Sequence, residues 1–128
     1  MQFKIDNASD RPVYQQIVDQ VKRDVALGKL ATDEKIPTVR ELAAQLAINP
    51  NTIAKAYRQL EQQGIITTRP GTGAFIANLD SNLSSSVKKK LLCTELEHVV
   101  VDAYHMQIAK PALKKWFDET TERFKLPE

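Results

Sequence analysis

The chain has 128 residues, of which 42 % are hydrophobic and 27 % charged, the balance of a globular protein and not of a disordered or fibrous one. Its 18 basic and 16 acidic side chains leave a formal charge of +2, too little to name a nucleic-acid partner by itself. A single cysteine, Cys93, excludes an intrachain disulfide and no apolar run nears the roughly 20 residues that span a bilayer, so a soluble cytoplasmic protein without a signal peptide is expected.

In chain order, FKID alternates apolar and polar residues and predicts a short strand at residues 2–6. After the turn cluster NASDRP, Pro12 suits the first position of a helix, and Tyr14, Ile17, Val18, Val21 and Val25 recur at helical spacing. That first helix is expected over residues 12–27, ending at Gly28. ATDEKIP reads as a loop. Thr38 and Glu41 then form a capping box that opens a short second helix over 38–47, with Val39, Leu42, Ala43 and Leu46 inward. Asn49 can cap, and Pro50 begin, a third helix over 50–63 that stops at Gly64. Ile53, Ala56, Tyr57 and Leu60 line its apolar face, with Tyr57 read as core; Asn51, Lys55, Arg58 and Gln62 line the other.

IITTRPGTGAFI predicts two strands around a Pro-Gly-Thr-Gly turn. Ile66, Phe75 and Ile76 are expected to pack on the helices, with Arg69 at the tip. The small, polar residues 77–86 mark a boundary. Beyond it Val87, Leu91, Leu92, Leu96, Val99, Val100, Ala103 and Met106 suggest one long helical stripe. A last helix is expected to start at Pro111, with Leu113, Trp116, Phe117 and Phe124 inward. Residues 1–78 carry 10 basic and 8 acidic groups, residues 79–128 carry 8 of each, so the surplus of positive charge lies in the first part.

Two helices joined by a turn of this length make a helix-turn-helix, whose second helix enters the major groove N-terminus first. Asn51, Thr52 and Lys55 would then lead. Asparagine pairs bidentately with adenine, and threonine offers a hydroxyl and a methyl to thymine. A helix N-terminus also presents free N–H groups to a phosphate. The glycine hairpin would be a wing, with Arg69 reaching a phosphate or the minor groove. The plain alternative is that the polar stripe is a solvated face and Arg40 a surface residue paired with an acid.

IPTVRELA, NPNTIAKAYRQLEQQGII and RPGTGAFI, in that order, resemble the winged helix-turn-helix domain of the GntR family of bacterial transcription regulators. PVYQQIVDQVKRDVALGKL is similar to that family's first helix, and the short tail resembles the YtrA subfamily. The fold class implied is mainly α with a small β-wing: a winged helix-turn-helix DNA-binding domain at 1–78, followed by a short helical dimerisation tail at 79–128 with room for an unknown small-molecule effector. The resemblance implies a homodimer on a double-stranded palindromic operator, usually as a repressor. It implies DNA contacts from Arg40, Asn49, Asn51, Thr52, Lys55, Arg58, Arg69 and Gly71. Asp33 and Ala47 stand where the family often has glycine. Aspartate tolerates the left-handed conformation; alanine there would cost roughly 1 kcal/mol.

A tail of this size is small for a self-sufficient core, so Leu92, Leu96, Val99, Val100, Ala103 and Met106 are expected to bury against a second copy. His98 and His105 lie two helical turns apart, roughly 10 Å along the axis, too far to share one ion; no metal or cofactor is expected. Lys88–Lys90 read as a solvated face. No nucleophile with a base, phosphate loop or carboxylate pair suggests an enzyme. The remaining rival keeps the fold as an architectural or protein-interaction module without sequence-specific regulation.

Overall fold

The computed structural model describes residues 2–78 and 83–128. The chain divides into two compact units, Met1–Leu79 and Asp80–Glu128. The first holds α1 (Val13–Ala26), β1 (Lys35–Ile36), α2 (Val39–Leu46), α3 (Pro50–Gln62), β2 (Ile66–Arg69) and β3 (Gly73–Ile76). The strands form one antiparallel sheet in the order β1-β3-β2. Its core joins Ile17, Val18 and Val21 of α1 to Leu42 of α2, Ile53 and Leu60 of α3, and Ile36, Ile66 and Ile76 of the sheet, all with at most 1 % of their surface exposed.

Local chemistry sets the helix boundaries. Pro12 is the residue before α1, not its first. At α2, the Thr38 hydroxyl accepts the Glu41 N–H at 3.1 Å. Ala47 ends α2 in the left-handed region, φ 53°, and turns the chain towards α3. The Asn49 side chain accepts the Asn51 N–H at 2.8 Å, with Pro50 opening α3. Asp33 is likewise left-handed, φ 66°, so both positions where the family often has glycine adopt the conformation that glycine favours.

Residues 2–6 form no strand. Their backbone is paired instead by two glutamine side chains one turn apart on α1. Gln16 accepts the Asp6 N–H at 2.8 Å and donates to the carbonyls of Asp6 and Arg11. Gln20 accepts the Lys4 N–H at 2.9 Å and donates to the Lys4 carbonyl. A side-chain amide offers the donor–acceptor pair of a peptide group, so each glutamine stands in for a residue of a neighbouring strand. Conversely, the expected loop at ATDEKIP contains β1, which pairs Lys35 with Phe75 and Ile36 with Ala74.

The hairpin also corrects an expectation. Phe75 and Ile76 are adjacent on β3 and so point to opposite faces. Ile76 enters the core; Phe75, although 8 % exposed, lies outside the core cluster on the other face.

The second unit is a pair of helices, α4 (Ser85–His105) and α5 (Lys110–Glu122). The Ser84 hydroxyl caps α4 by accepting the Val87 N–H at 3.3 Å. The linker expected over 77–86 includes residues 79–82, which lie outside the described residues. At roughly 100° per residue, Leu92, Leu96, Val99, Val100, Ala103 and the C-capping Met106 share one side of α4, whereas Val87 falls on the opposite side and Leu91 on the flank; the stripe is shorter than expected. Trp116 and Phe117 of α5 were expected inward but are 48 % and 52 % exposed, while Leu113 and Phe124 are half-buried. Among the described residues of this unit only Ala103 is buried.

Candidate nucleic-acid interface

The first unit carries a polar face built on α2 and α3. Ile53, Ala56, Tyr57 and Leu60 bury one side of α3, which turns Asn51, Lys55 and Arg58 outward together. All three are exposed, and Thr52 is half-buried at the edge. Arg40 is exposed on the first turn of α2. Asn49 is exposed too, but its side-chain oxygen is occupied by the Asn51 N–H; its amide nitrogen carries no bond within the described residues. The Lys55 ammonium sits 4.0 Å from the centre of the Tyr14 ring on α1, so its direction is set by an aromatic face.

The floor beneath this face is fixed. The Tyr57 hydroxyl donates to the Pro37 carbonyl at 2.6 Å, joining α3 to the residue that leads into α2. Burial, reinforced by the Glu41 carboxylate, pushes the Tyr57 pKa well above the ordinary phenol value. Tyr57 thus belongs to the core. The Gln59 amide reaches Gln15 of α1 at 3.5 Å, and the Thr68 hydroxyl donates to Glu61 at 2.7 Å, tying β2 to the end of α3.

The wing flanks a cleft of about 390 Å³ between the start of α2 and the hairpin, lined by Thr38, Val39, Tyr57 and residues 68–74. Gly71 occupies the turn with φ 75°, which an L side chain rarely adopts, and is exposed. Gly73, φ 131°, leaves room for Lys35: a Cβ at 73 would come 3.1 Å from the Lys35 Cε.

Arg69 is placed differently from expectation. It is the last residue of β2, paired with Gly73, and not in the turn itself. Its guanidinium carbon lies 4.1 Å from the centre of the Phe75 ring, and its Nη2 is 3.4 Å from the Asp33 carboxylate. Sequence reasoning found Arg69 but not these two neighbours. Strand alternation could have put Arg69 and Phe75 on one face, because Arg69 pairs with Gly73 and Gly73 alternates with Phe75. The Asp33 contact had no local signal.

Among the described residues no three His, Cys, Asp or Glu side chains converge to hold a metal ion. His98 lies 3.9 Å from Glu95, and Lys88–Lys90 are exposed. No helix is long and apolar enough to cross a membrane, among the described residues.

A capped helix pair, an exposed polar face on its second helix and a following β-hairpin define a winged helix-turn-helix DNA-binding protein. Residues 13–76 match the bacterial regulatory proteins of the gntR family. The chain is 34 % identical over 117 residues to the HTH-type transcriptional repressor YtrA of Bacillus subtilis (strain 168), covering 91 % of this chain and 90 % of that one. The crystal structure of a transcriptional antiterminator from Listeria monocytogenes EGD-e superposes with a TM-score of 0.84 at 38 % identity, covering 94 % of this chain and 90 % of the other. The DNA-binding domain of AraR in complex with operator ORE1 aligns with a TM-score of 0.51 at 32 % identity, over 60 % of this chain and 94 % of its own. The chain belongs to the GntR family and is a DNA-binding transcription regulator of the YtrA type.

Proposed function

We propose that this regulator works in the cytoplasm as a homodimeric repressor on a palindromic operator, with residues 1–78 reading DNA and residues 79–128 joining the two subunits. The observation that carries the reading of DNA is the outward arc of Asn51, Lys55 and Arg58 beside the capped start of α3. Asn51 and Thr52 read base edges; a bidentate asparagine–adenine pair is worth roughly 1–3 kcal/mol of discrimination. Arg40 reads guanine or grips a phosphate. Lys55 and Arg58 hold the backbone, which fixes register without reading sequence. The Asn49 amide, Arg69 and the Gly71 backbone complete the contacts on either side.

The dimer reading rests on the second unit. Leu92, Leu96, Val99, Val100 and Met106 expose between 43 % and 71 % of their surface on one side of α4. Ala103, which sequence grouped with them, is buried in its own helix pair and offers little to a partner. A cleft of about 440 Å³ between α4 and α5, lined by Leu96, Val99, Val100, Leu113 and Phe117, adjoins that side. Taking a fully exposed leucine, valine or methionine to full burial contributes about 1.5–3 kcal/mol, and these side chains, roughly half exposed, would each return about half of that when a second copy covers them. Two recognition helices would then read half-sites about 34–36 Å apart. Repression follows by occlusion of a promoter, with no catalysis.

Selection of bound duplexes from a randomised pool at about 150 mM salt tests the reading. Recovery of an inverted repeat is expected. Retention without a motif, falling away as salt rises, would instead mark a sequence-independent architectural protein. A saturable thermal shift with a small apolar compound would reveal an effector, and loss of that shift in Phe117→Ala would place it in the α4–α5 cleft.

A further inference from the structure

We propose that Asp33 is a positioning residue for the wing: its carboxylate holds the Arg69 guanidinium against Phe75 in the free protein, and DNA must take Arg69 from it. This rests on the reading above, in which Arg69 meets DNA. Three observations converge. Asp33 lies in the left-handed region at φ 66°, a conformation that glycine adopts freely and that aspartate tolerates. Its backbone is locked there, because its N–H donates to the Ile76 carbonyl of β3 at 2.8 Å. The carboxylate that this position carries lies 3.4 Å from Arg69, whose guanidinium stacks on the Phe75 ring at 4.1 Å.

Phe75 explains why Arg69 folds back and does not project. It is the large apolar side chain on the face of the sheet away from the core, yet it is only 8 % exposed. The Arg69 guanidinium, stacked on the ring, is part of its cover. Neither restraint is strong alone: the ion pair is exposed, with Arg69 and Asp33 side chains at 53 % and 75 % of full accessibility, and exposed pairs are weak and screened by salt. Together they set a threshold of a few-fold in affinity, not a block. Lys35, on the same face, has no ion-pair partner among the described residues, and it serves as the comparison for a cation that DNA can take without competition.

The test is a double-substitution cycle on the full chain with Asp33→Asn, Arg69→Ala and the pair, using the recovered operator. Asparagine tolerates the left-handed backbone and keeps the shape of aspartate while removing its charge. Asp33→Asn is expected to tighten binding about threefold, and to give less than half of that gain when Arg69 is already alanine. An equal gain in both backgrounds would reduce Asp33 to a repulsive charge near the backbone of DNA and overturn the proposal; so would no gain at all. A measurement on the free protein separates this from the DNA reading. The Arg69 side-chain protons should be shifted upfield by the Phe75 ring and move towards free-arginine positions in Asp33→Asn. Unmoved signals would overturn the restraint whatever the DNA results, whereas moved signals in a protein that binds no duplex would leave the restraint standing and remove the DNA role of Arg69. Lys35→Gln should leave the Arg69 signals in place; a shift as large as that from Asp33→Asn would overturn the assignment to Asp33.

Discussion

Tyr57 sets a buried ring with a polar end into the DNA-binding unit, and the bond from its hydroxyl to the Pro37 carbonyl makes a sharp test. Tyr57→Phe keeps the ring in the core and orphans that carbonyl, so unfolding free energy at neutral pH should drop by about 1–3 kcal/mol. The pH dependence has a definite sign. The folded-state pKa is raised by burial above the unfolded value of about 10. The stabilisation is therefore whole below about pH 10 and is lost as pH climbs through the folded value. Denaturant titrations above pH 10 should show that fall in the native sequence and a flatter profile in the phenylalanine variant. Ala47 gives the opposite expectation. A left-handed alanine costs roughly 1 kcal/mol, partly offset against glycine's looser unfolded chain. Ala47→Gly should raise the denaturation midpoint with an unchanged slope. On the DNA face, Asn51→Ala should compress the preference for operator over scrambled duplex by roughly 1–3 kcal/mol. Equal weakening on both duplexes would count against base reading by Asn51.

At the scale of elements, what could be read from the sequence was what is encoded within a few residues. Thr38 three residues before Glu41, and Asn49 before Pro50, are local signals, and both helices begin where those residues stand. The glycines of the wing turn are local in the same way. β1 was missed because two residues carry no periodicity and pair with a strand far along the chain. FKID was misread because alternation reports an extended backbone, not what pairs with it; here the partners are amides of α1. Arg69 was recognisable as a wing residue, but its direction depends on Asp33 and on which face Phe75 takes. The glutamine pairing yields a prediction of its own. Gln16→Ala leaves the Asp6 N–H and the Asp6 and Arg11 carbonyls without that partner; both residues are exposed, so water replaces the amide and each lost bond costs about 0.5–1.5 kcal/mol. Hydrogen exchange should show the Asp6 amide losing protection first; protection that survives would mean the segment is held by the Gln20–Lys4 bonds and by the packing of Phe3 and Ile5.

At the scale of the molecule, the two units differ in how far each is finished. The first has a closed core, with nine large side chains essentially sealed from water. The second leaves Trp116, Phe117 and most of the α4 face open. Val99→Asp places a charge in the middle of that face and should convert the proposed dimer to monomer in sedimentation, with affinity for a full inverted repeat falling much further than affinity for one half-site. Persistence of the dimer would move the subunit contact elsewhere. The melting temperature of the native protein should also rise with protein concentration, as mass action requires when folding and association are linked.

The open face of α4 bears on how much of this regulator a cell can hold. If the proposed dimer forms, a subunit without its partner displays leucine, valine and methionine over several turns of helix, the kind of surface that chaperones and quality-control proteases engage. Paired subunits would be sheltered and single ones removed. Synthesis below the dissociation constant would then yield little lasting protein, and a destabilised α4 would act first on abundance, before any effect on the recognition helix could be seen.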